Sequence, residues 1–148
     1  MSYRFPLLKP MLRLIPGIHL SIFDSVYTRV AILKNKKTVS YIDIIEEEPG
    51  ILYMAYGHTE PGFRRQGYIS KLSVLIGTCA KLAGFKKVKY IAANVNKLVP
   101  EGNRPLSAHA GNKFKFSVNY TSKRTGAENR SLNLSTMRFR NVLRHLKK

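Results

Sequence analysis

Apolar and polar residues alternate through positions 27–33, 38–45 and 51–56, with breaks at Lys34-Asn35-Lys36-Lys37 and at Glu46-Glu47-Glu48-Pro49-Gly50. Period-two runs rich in β-branched and aromatic residues predict strands, here an antiparallel meander with one polar and one acidic turn. From residue 68 to 83 the period changes. Leu72, Leu75, Ile76, Cys79 and Leu82 fall at helical spacing with Lys71 and Lys81 outward, and Gly84 supplies a C-cap. Residues 87–93 form a further strand, expected parallel to 51–56, which makes a right-handed βαβ unit. A loop over 94–102 and a short helix over 105–112, with Pro105 in its first turn, come next. Residues 114–121 alternate again (Phe114, Phe116, Val118, Tyr120). A turn-rich loop over 122–129 and a returning strand over 132–139 complete a C-terminal hairpin.

The two ends are less regular. Pro6, Pro10 and Pro16 interrupt residues 1–26, where only Ile18–Phe23 reads as a short helix or strand. The tail, 139–148, places Phe139, Val142, Leu143 and Leu146 on one helical face among basic residues. No repeat or linker divides the 148 residues, so the expectation is one α/β domain with a mixed sheet. No apolar run approaches the ~18 residues of a membrane span. The proline-broken N-terminus lacks a signal-peptide core, which gives an intracellular expectation, cytoplasmic or nucleoprotein-associated. The absence of acidic residues before Asp24 also fits a transit segment. Cys79 is the single cysteine and lies within the helical stripe, so it reads as a small core residue.

Charge changes the picture. Residues 1–60 carry 7 Lys/Arg against 6 Asp/Glu, net +1, whereas residues 61–148 carry 19 against 2, net +17. That imbalance attracts polyanions, and one small phosphorylated ligand would neutralise only a few of these charges. Nucleic acid or an acidic protein assembly is therefore an expected partner of the basic half. Scattered surface lysine remains the plainer alternative. His19, His58, His109 and His145 lack metal-ligand spacing, so no metal is expected.

Between the third strand and the first long helix lies Glu60-Pro61-Gly62-Phe63-Arg64-Arg65-Gln66-Gly67-Tyr68. A glycine- and arginine-bearing turn that opens a helix suits an anion. The first-turn N–H groups are free, the helix dipole favours negative charge, and glycine permits close approach. This stretch resembles the pyrophosphate loop of the GCN5-related N-acetyltransferase superfamily, patterned Gln/Arg-x-x-Gly-x-Gly/Ala. Arg64, Gly67 and Ile69 occupy the three patterned positions. Ile69 departs from the pattern, since the family has a small residue there. The likeness runs from about 28 to about 120.

The resemblance implies an acetyltransferase-like fold and acetyl-CoA as cofactor. It implies that Arg64, Arg65, Gln66, Gly67 and Tyr68 wrap the pyrophosphate, with Ile69 and Ser70 at the helix start. It further implies that the strand through Tyr56, Gly57 and His58 holds the pantetheine arm opposite a splayed neighbour at 91–94 that ends in Asn94. His58, with a reference pKa near 6.5, is the first candidate base, and Glu60 the second. Glu46, Glu47 and Glu48 read as a solvated turn. The family's usual tyrosine falls on Gly111 here, which leaves Ser107 and His109 to face the sulfur. The family also has a strand and two helices ahead of the strand at 27–33. With only 26 residues available, one or both helices should be missing or short, and these wall the acceptor side. Two functions follow: an acetyl-CoA-dependent N-acetyltransferase acting on an amine, or a protein of the same fold with weak or no catalysis, serving in nucleic-acid association or assembly.

Overall fold

The computed structural model describes residues 2–92, 117–121 and 128–134. Along the chain these form α1 (Phe5–Arg13), β1 (Ile18–Phe23), β2 (Tyr27–Lys34), β3 (Lys37–Glu48) and β4 (Ile51–Thr59). A 3₁₀ turn (Pro61–Phe63), α2 (Tyr68–Leu82), β5 (Lys87–Ala92), β6 (Ser117–Thr121) and β7 (Glu128–Asn133) follow. The strands make one seven-stranded sheet in the order β1-β2-β3-β4-β5-β7-β6. Among the described residues only β4 and β5 run parallel, joined by α2 as the βαβ unit that the change of period predicts. The short helix at 105–112, the loop at 94–102 and the tail at 139–148 lie outside the described residues.

One helix does survive ahead of the meander. Pro6 lies in the first turn of α1, where its missing N–H is no loss. Pro10 forfeits one helical bond. Against that, Leu8 and Leu12, four residues apart, are both fully buried. The free N–H groups at the start of α1 are met from β3: the Glu46 carboxylate accepts from Arg4 N (2.8 and 2.9 Å) and Phe5 N (2.7 Å). It also accepts from Gly50 N at 2.8 Å. The acidic turn expected at 46–50 is therefore corrected. Glu46 to Glu48 continue β3, the turn is Pro49-Gly50 alone, and Glu46 is a structural acceptor rather than a solvated charge.

The polar break at 34–37 is a two-residue turn with positive φ at Asn35 (52°) and Lys36 (64°), the twist a tight hairpin requires. Helix α2 ends in a Schellman motif: Phe85 N donates to Ala80 O and Gly84 N to Lys81 O, with Gly84 at φ 92°. Leu82 is mostly exposed, one position off the buried stripe of Ile69, Leu72, Ile76, Cys79 and Ala80. The returning strand expected at 132–139 begins earlier, at Glu128, and pairs antiparallel with both β5 and β6.

Helices α1 and α2 cover one face of the sheet. Leu8, Leu12, Val30, Ile32, Ile42, Ile44, Leu52, Leu72, Ile76, Phe85, Val88 and Leu134 close the core there. Alternation then puts Arg29, Tyr41, Asp43, Tyr56 and His58 on the opposite face.

Candidate functional site

The parallel pairing of β4 with β5 runs from Ile51↔Lys87 to Met54↔Tyr90 and stops there, although β4 continues to Thr59 and β5 to Ala92. The strands thus part at their C-terminal ends. On its other side β4 bulges at the same point: Ile44 pairs with Met54 and Asp43 with Tyr56, which leaves Ala55 over. A bulge bends its strand and re-aims the residues beyond it. Past the parting, the backbone groups of β4 on that side have no ladder partner in β5.

The turn after β4 leads to the start of α2 at this end of the sheet. Arg65 (φ 63°) and Gly67 (φ 81°) both take the left-handed conformation. A Cβ added at Gly67 would meet no heavy atom within 4 Å, so the space above the loop is open. No side chain caps α2, and its first turn points bare N–H groups outward. Arg65, Gln66 and Gly67 are exposed. Arg64 is partly committed elsewhere, since its Nε donates to Thr59 O at 3.1 Å. Lys34 from the β2–β3 turn places its Nζ 5.1 Å from the Tyr68 ring centroid and adds a cation beside the loop. A surface cavity of about 560 Å³ separates that turn from Pro61–Phe63.

Ile69 is only 9% exposed and turns into the core, away from the loop. Of the implied cofactor contacts at that position, the side chain is excluded and only the N–H, in the first turn of α2, is left. Tyr56 and Gly57 are exposed on β4 just past the bulge. Asn94, Ser107 and His109 lie outside the described residues.

The end of β4 is pinned. The Ser40 hydroxyl donates to His58 O at 3.1 Å and stands 2.9 Å from the Thr59 hydroxyl. Because Ser40 has one proton, Thr59 is the donor of that second bond. Glu60 N donates to Val39 O at 2.8 Å. His58 Nε2 then faces Glu60 Oε1 at 3.4 Å, so the two candidate bases form one pair.

Three residues that the sequence reading passed over share the sheet face with His58. Tyr41, opposite His58 on β3, sets its ring 5.6 Å from the imidazole and 6.1 Å from the Tyr56 ring. Arg29 lies over Tyr41, its guanidinium carbon 3.7 Å from the ring centroid. Arg29 also grips Asp43 with two bonds of 2.8 and 3.1 Å, and Asp43 is 1% exposed. The hydrogen bond to Asp43 raises the Arg29 guanidinium above its ordinary value. Burial pushes the Tyr41 phenol up, so it stays a neutral donor. Asp43 sits inside the apolar run 42–45. A charge in that setting needs a partner, and this is the signal that would have found the cluster.

A mixed sheet whose two parallel strands part beside a bulge, with a helix start at the mouth, is the acetyltransferase type of fold. Solved structures agree. An acetyltransferase from Bacillus subtilis in complex with CoA matches 78% of this chain and 97% of its own, with TM-score 0.61 and 8% identity. An acetyltransferase of the GNAT family from Streptococcus pneumoniae matches 72% of this chain and 66% of its own (TM-score 0.56, 13% identity). The PaiA N-acetyltransferase from Thermoplasma acidophilum, in complex with coenzyme A, matches 71% and 59% (TM-score 0.55, 11% identity). The chain therefore has the fold of the GCN5-related N-acetyltransferases. No protein-family model and no curated protein matches it by sequence. Among the described residues no helix is long and apolar enough to cross a membrane, and no three His, Cys, Asp or Glu side chains gather as metal ligands.

Proposed function

We propose that this protein transfers an acetyl group from acetyl-CoA to an amine. The observation that carries the reading is the parting of β4 and β5 after Met54 and Tyr90, with the uncapped start of α2 at its mouth. The open space over Gly67 fits a pyrophosphate. The N–H groups of the first turn of α2, with Arg65 and Lys34, would hold it. Backbone groups of β4 beyond Ala55 would hold the pantetheine arm. When bound, acetyl-CoA supplies a thioester whose C–S bond breaks as the amine N–C bond forms, with CoA released as the thiol.

The chain's own contribution is orientation and the removal of one proton from the amine. His58 lies three residues past Ala55, about 10 Å along the strand. An amine presented beside Ala55 would therefore lose its proton to His58 through water rather than by direct contact. Glu60 at its Nε2 stabilises the resulting imidazolium. The test is calorimetric titration of acetyl-CoA into nucleic-acid-free protein, followed by thiol release with a panel of amines. Saturable binding at one site per chain and thiol release that requires an amine are expected. An absence of binding at millimolar acetyl-CoA overturns the reading.

The charge favours a second reading. Net +17 over 61–148 suits a polyanion, so the same fold would sit on nucleic acid with or without catalysis. Binding would be indifferent to sequence and would weaken about a thousandfold between 50 and 200 mM salt if six or more phosphates are contacted. Fluorescence anisotropy with labelled DNA and RNA across that range checks it. Indifference to both at 50 mM leaves an acidic protein as the partner.

A further inference from the structure

We infer that Tyr41, clamped by the Arg29–Asp43 pair, is a positioning residue that holds His58 in one ring orientation, with Nε2 on Glu60 and Nδ1 free to accept a proton. The inference rests on the acetyl-transfer reading for its purpose, but its geometry stands independently of it.

Arg29 is opposite Asp43, Asp43 is opposite Tyr56, and Tyr41 is opposite His58, so three adjacent strands bring their side chains to one patch. Asp43 is buried and its two carboxylate oxygens take two guanidinium nitrogens. A bidentate pair of this kind fixes the guanidinium plane. That plane covers one side of the Tyr41 ring at 3.7 Å. Tyr41, so held, presents its ring to His58 at 5.6 Å and 42°. Ser40 anchors the His58 backbone from the same strand, β3. The imidazole is thus tethered at its main chain, walled on one side and faced by a carboxylate at Nε2.

The chemistry follows from the placement of charge. In a neutral imidazole one nitrogen carries the proton and the other a lone pair, and the partner of one decides the role of both. Glu60 draws the proton to Nε2, which leaves Nδ1 as the acceptor. A ring free to flip about its χ2 axis would put Cε1 where Nε2 stood and Cδ2 where Nδ1 stood, so the flipped population would lose both the Glu60 contact that selects the tautomer and the lone pair toward the substrate side. The wall prevents the flip. The titratable and charged groups near His58 are Glu60 and Tyr56 from its own segment, Tyr41 and Asp43 from β3, and Arg29 from β2. Because Arg29 and Asp43 neutralise each other, Glu60 is the carboxylate that acts on the ring.

The experiment reads the ring nitrogens directly. ¹⁵N spectra of the histidines in the full chain, with H58N to assign the His58 signals, report which nitrogen is protonated. Wild type is expected to show the Nε2–H form of His58 alone in its neutral state, and Y41F, which keeps the ring, the same. Y41L should show both tautomers in exchange, with kcat lower by about tenfold and the KM for acetyl-CoA within twofold of wild type. Should Y41L fail to fold, R29K keeps a charge for Asp43 but removes the planar cover from Tyr41, and the same mixing is expected. A single tautomer and full kcat in a folded Y41L overturn the inference while leaving acetyl transfer intact. Tautomer mixing in Y41L, together with no acetyl transfer by wild type to any amine, supports the positioning and overturns the acetyl-transfer reading instead.

Discussion

The Cδ1 atom of Ile69 lies 3.5 Å from the point where a Cβ on Gly57 would stand. The first turn of α2 therefore packs directly on the backbone of β4, and the bulky residue at a position patterned for a small one is received by a glycine across the interface. I69A should remove buried volume and destabilise the fold by about 2–4 kcal/mol. Acetyl-CoA affinity should change less than threefold, since the lost side chain faces the core. G57A meets only ordinary contact distances and should fold, whereas G57V should lose about 1–3 kcal/mol through overpacking. Urea denaturation and calorimetry check all three variants.

Gly67 behaves in the opposite way. Its surroundings are open, but its φ of 81° is unfavourable for a branched residue. G67V should keep the sheet and the α2 circular dichroism, lose about 1–2 kcal/mol, and bind acetyl-CoA at least tenfold more weakly because bulk fills the anion space. Unchanged affinity would place the pyrophosphate elsewhere.

Glu46 accepts from three backbone N–H groups that belong to α1 and the β3–β4 turn. E46A leaves all three without their acceptor and removes a negative charge from a helix start. A loss of about 2–3 kcal/mol follows, with α1 the first element to open. Hydrogen exchange should show protection falling first at residues 5–13. Uniform loss of protection across the sheet would refute the local account.

Burial raises the folded-state pKa of the Tyr41 and Tyr53 phenols, each a group that is neutral when protonated. The stability they contribute is complete below the ordinary phenol range. It is lost as pH rises through the folded pKa values, because the unfolded chain releases these protons first. Denaturation midpoints should hold steady from pH 7 to about 9 and fall above about 10. The Y41F variant should fall less steeply. Cys79 follows the same logic: burial raises its thiol, so alkylation at pH 8 should be slow and should track global unfolding.

Much of this architecture was legible because period is a local property. The alternation at 27–33, 38–45 and 51–56 and the helical stripe after Tyr68 needed no partner to be recognised. The glycine- and arginine-bearing turn ahead of α2 was equally visible, since its residue types limit the backbone. Where partners decide, the sequence was silent. Residues 46–48 look like a turn until β4 pairs with them, and Glu46 looks solvated until α1 delivers its N–H groups. Pro10 argues against a helix unless the burial of Leu8 and Leu12 is known. Arg29, Tyr41 and Asp43 stand up to 14 positions apart in the chain and meet only through strand register. Pattern reading found His58 and Glu60 separately, and the pinning of β4 by Ser40 showed them to be one unit.

The place where β4 and β5 cease to pair has an evolutionary corollary. A ligand lying between the parted strands would be recognised by peptide groups, which every residue type supplies alike. Mutation cannot readily erase such a contact, provided that the bulge at Ala55 and the turn at Gly67 keep the main chain on its path. Side chains there that neither move a proton nor hold one that does would then be free to drift. A structure solved in complex with CoA matches this fold over 97% of its own length at 8% identity, so the same main-chain path is built there from almost entirely different side chains.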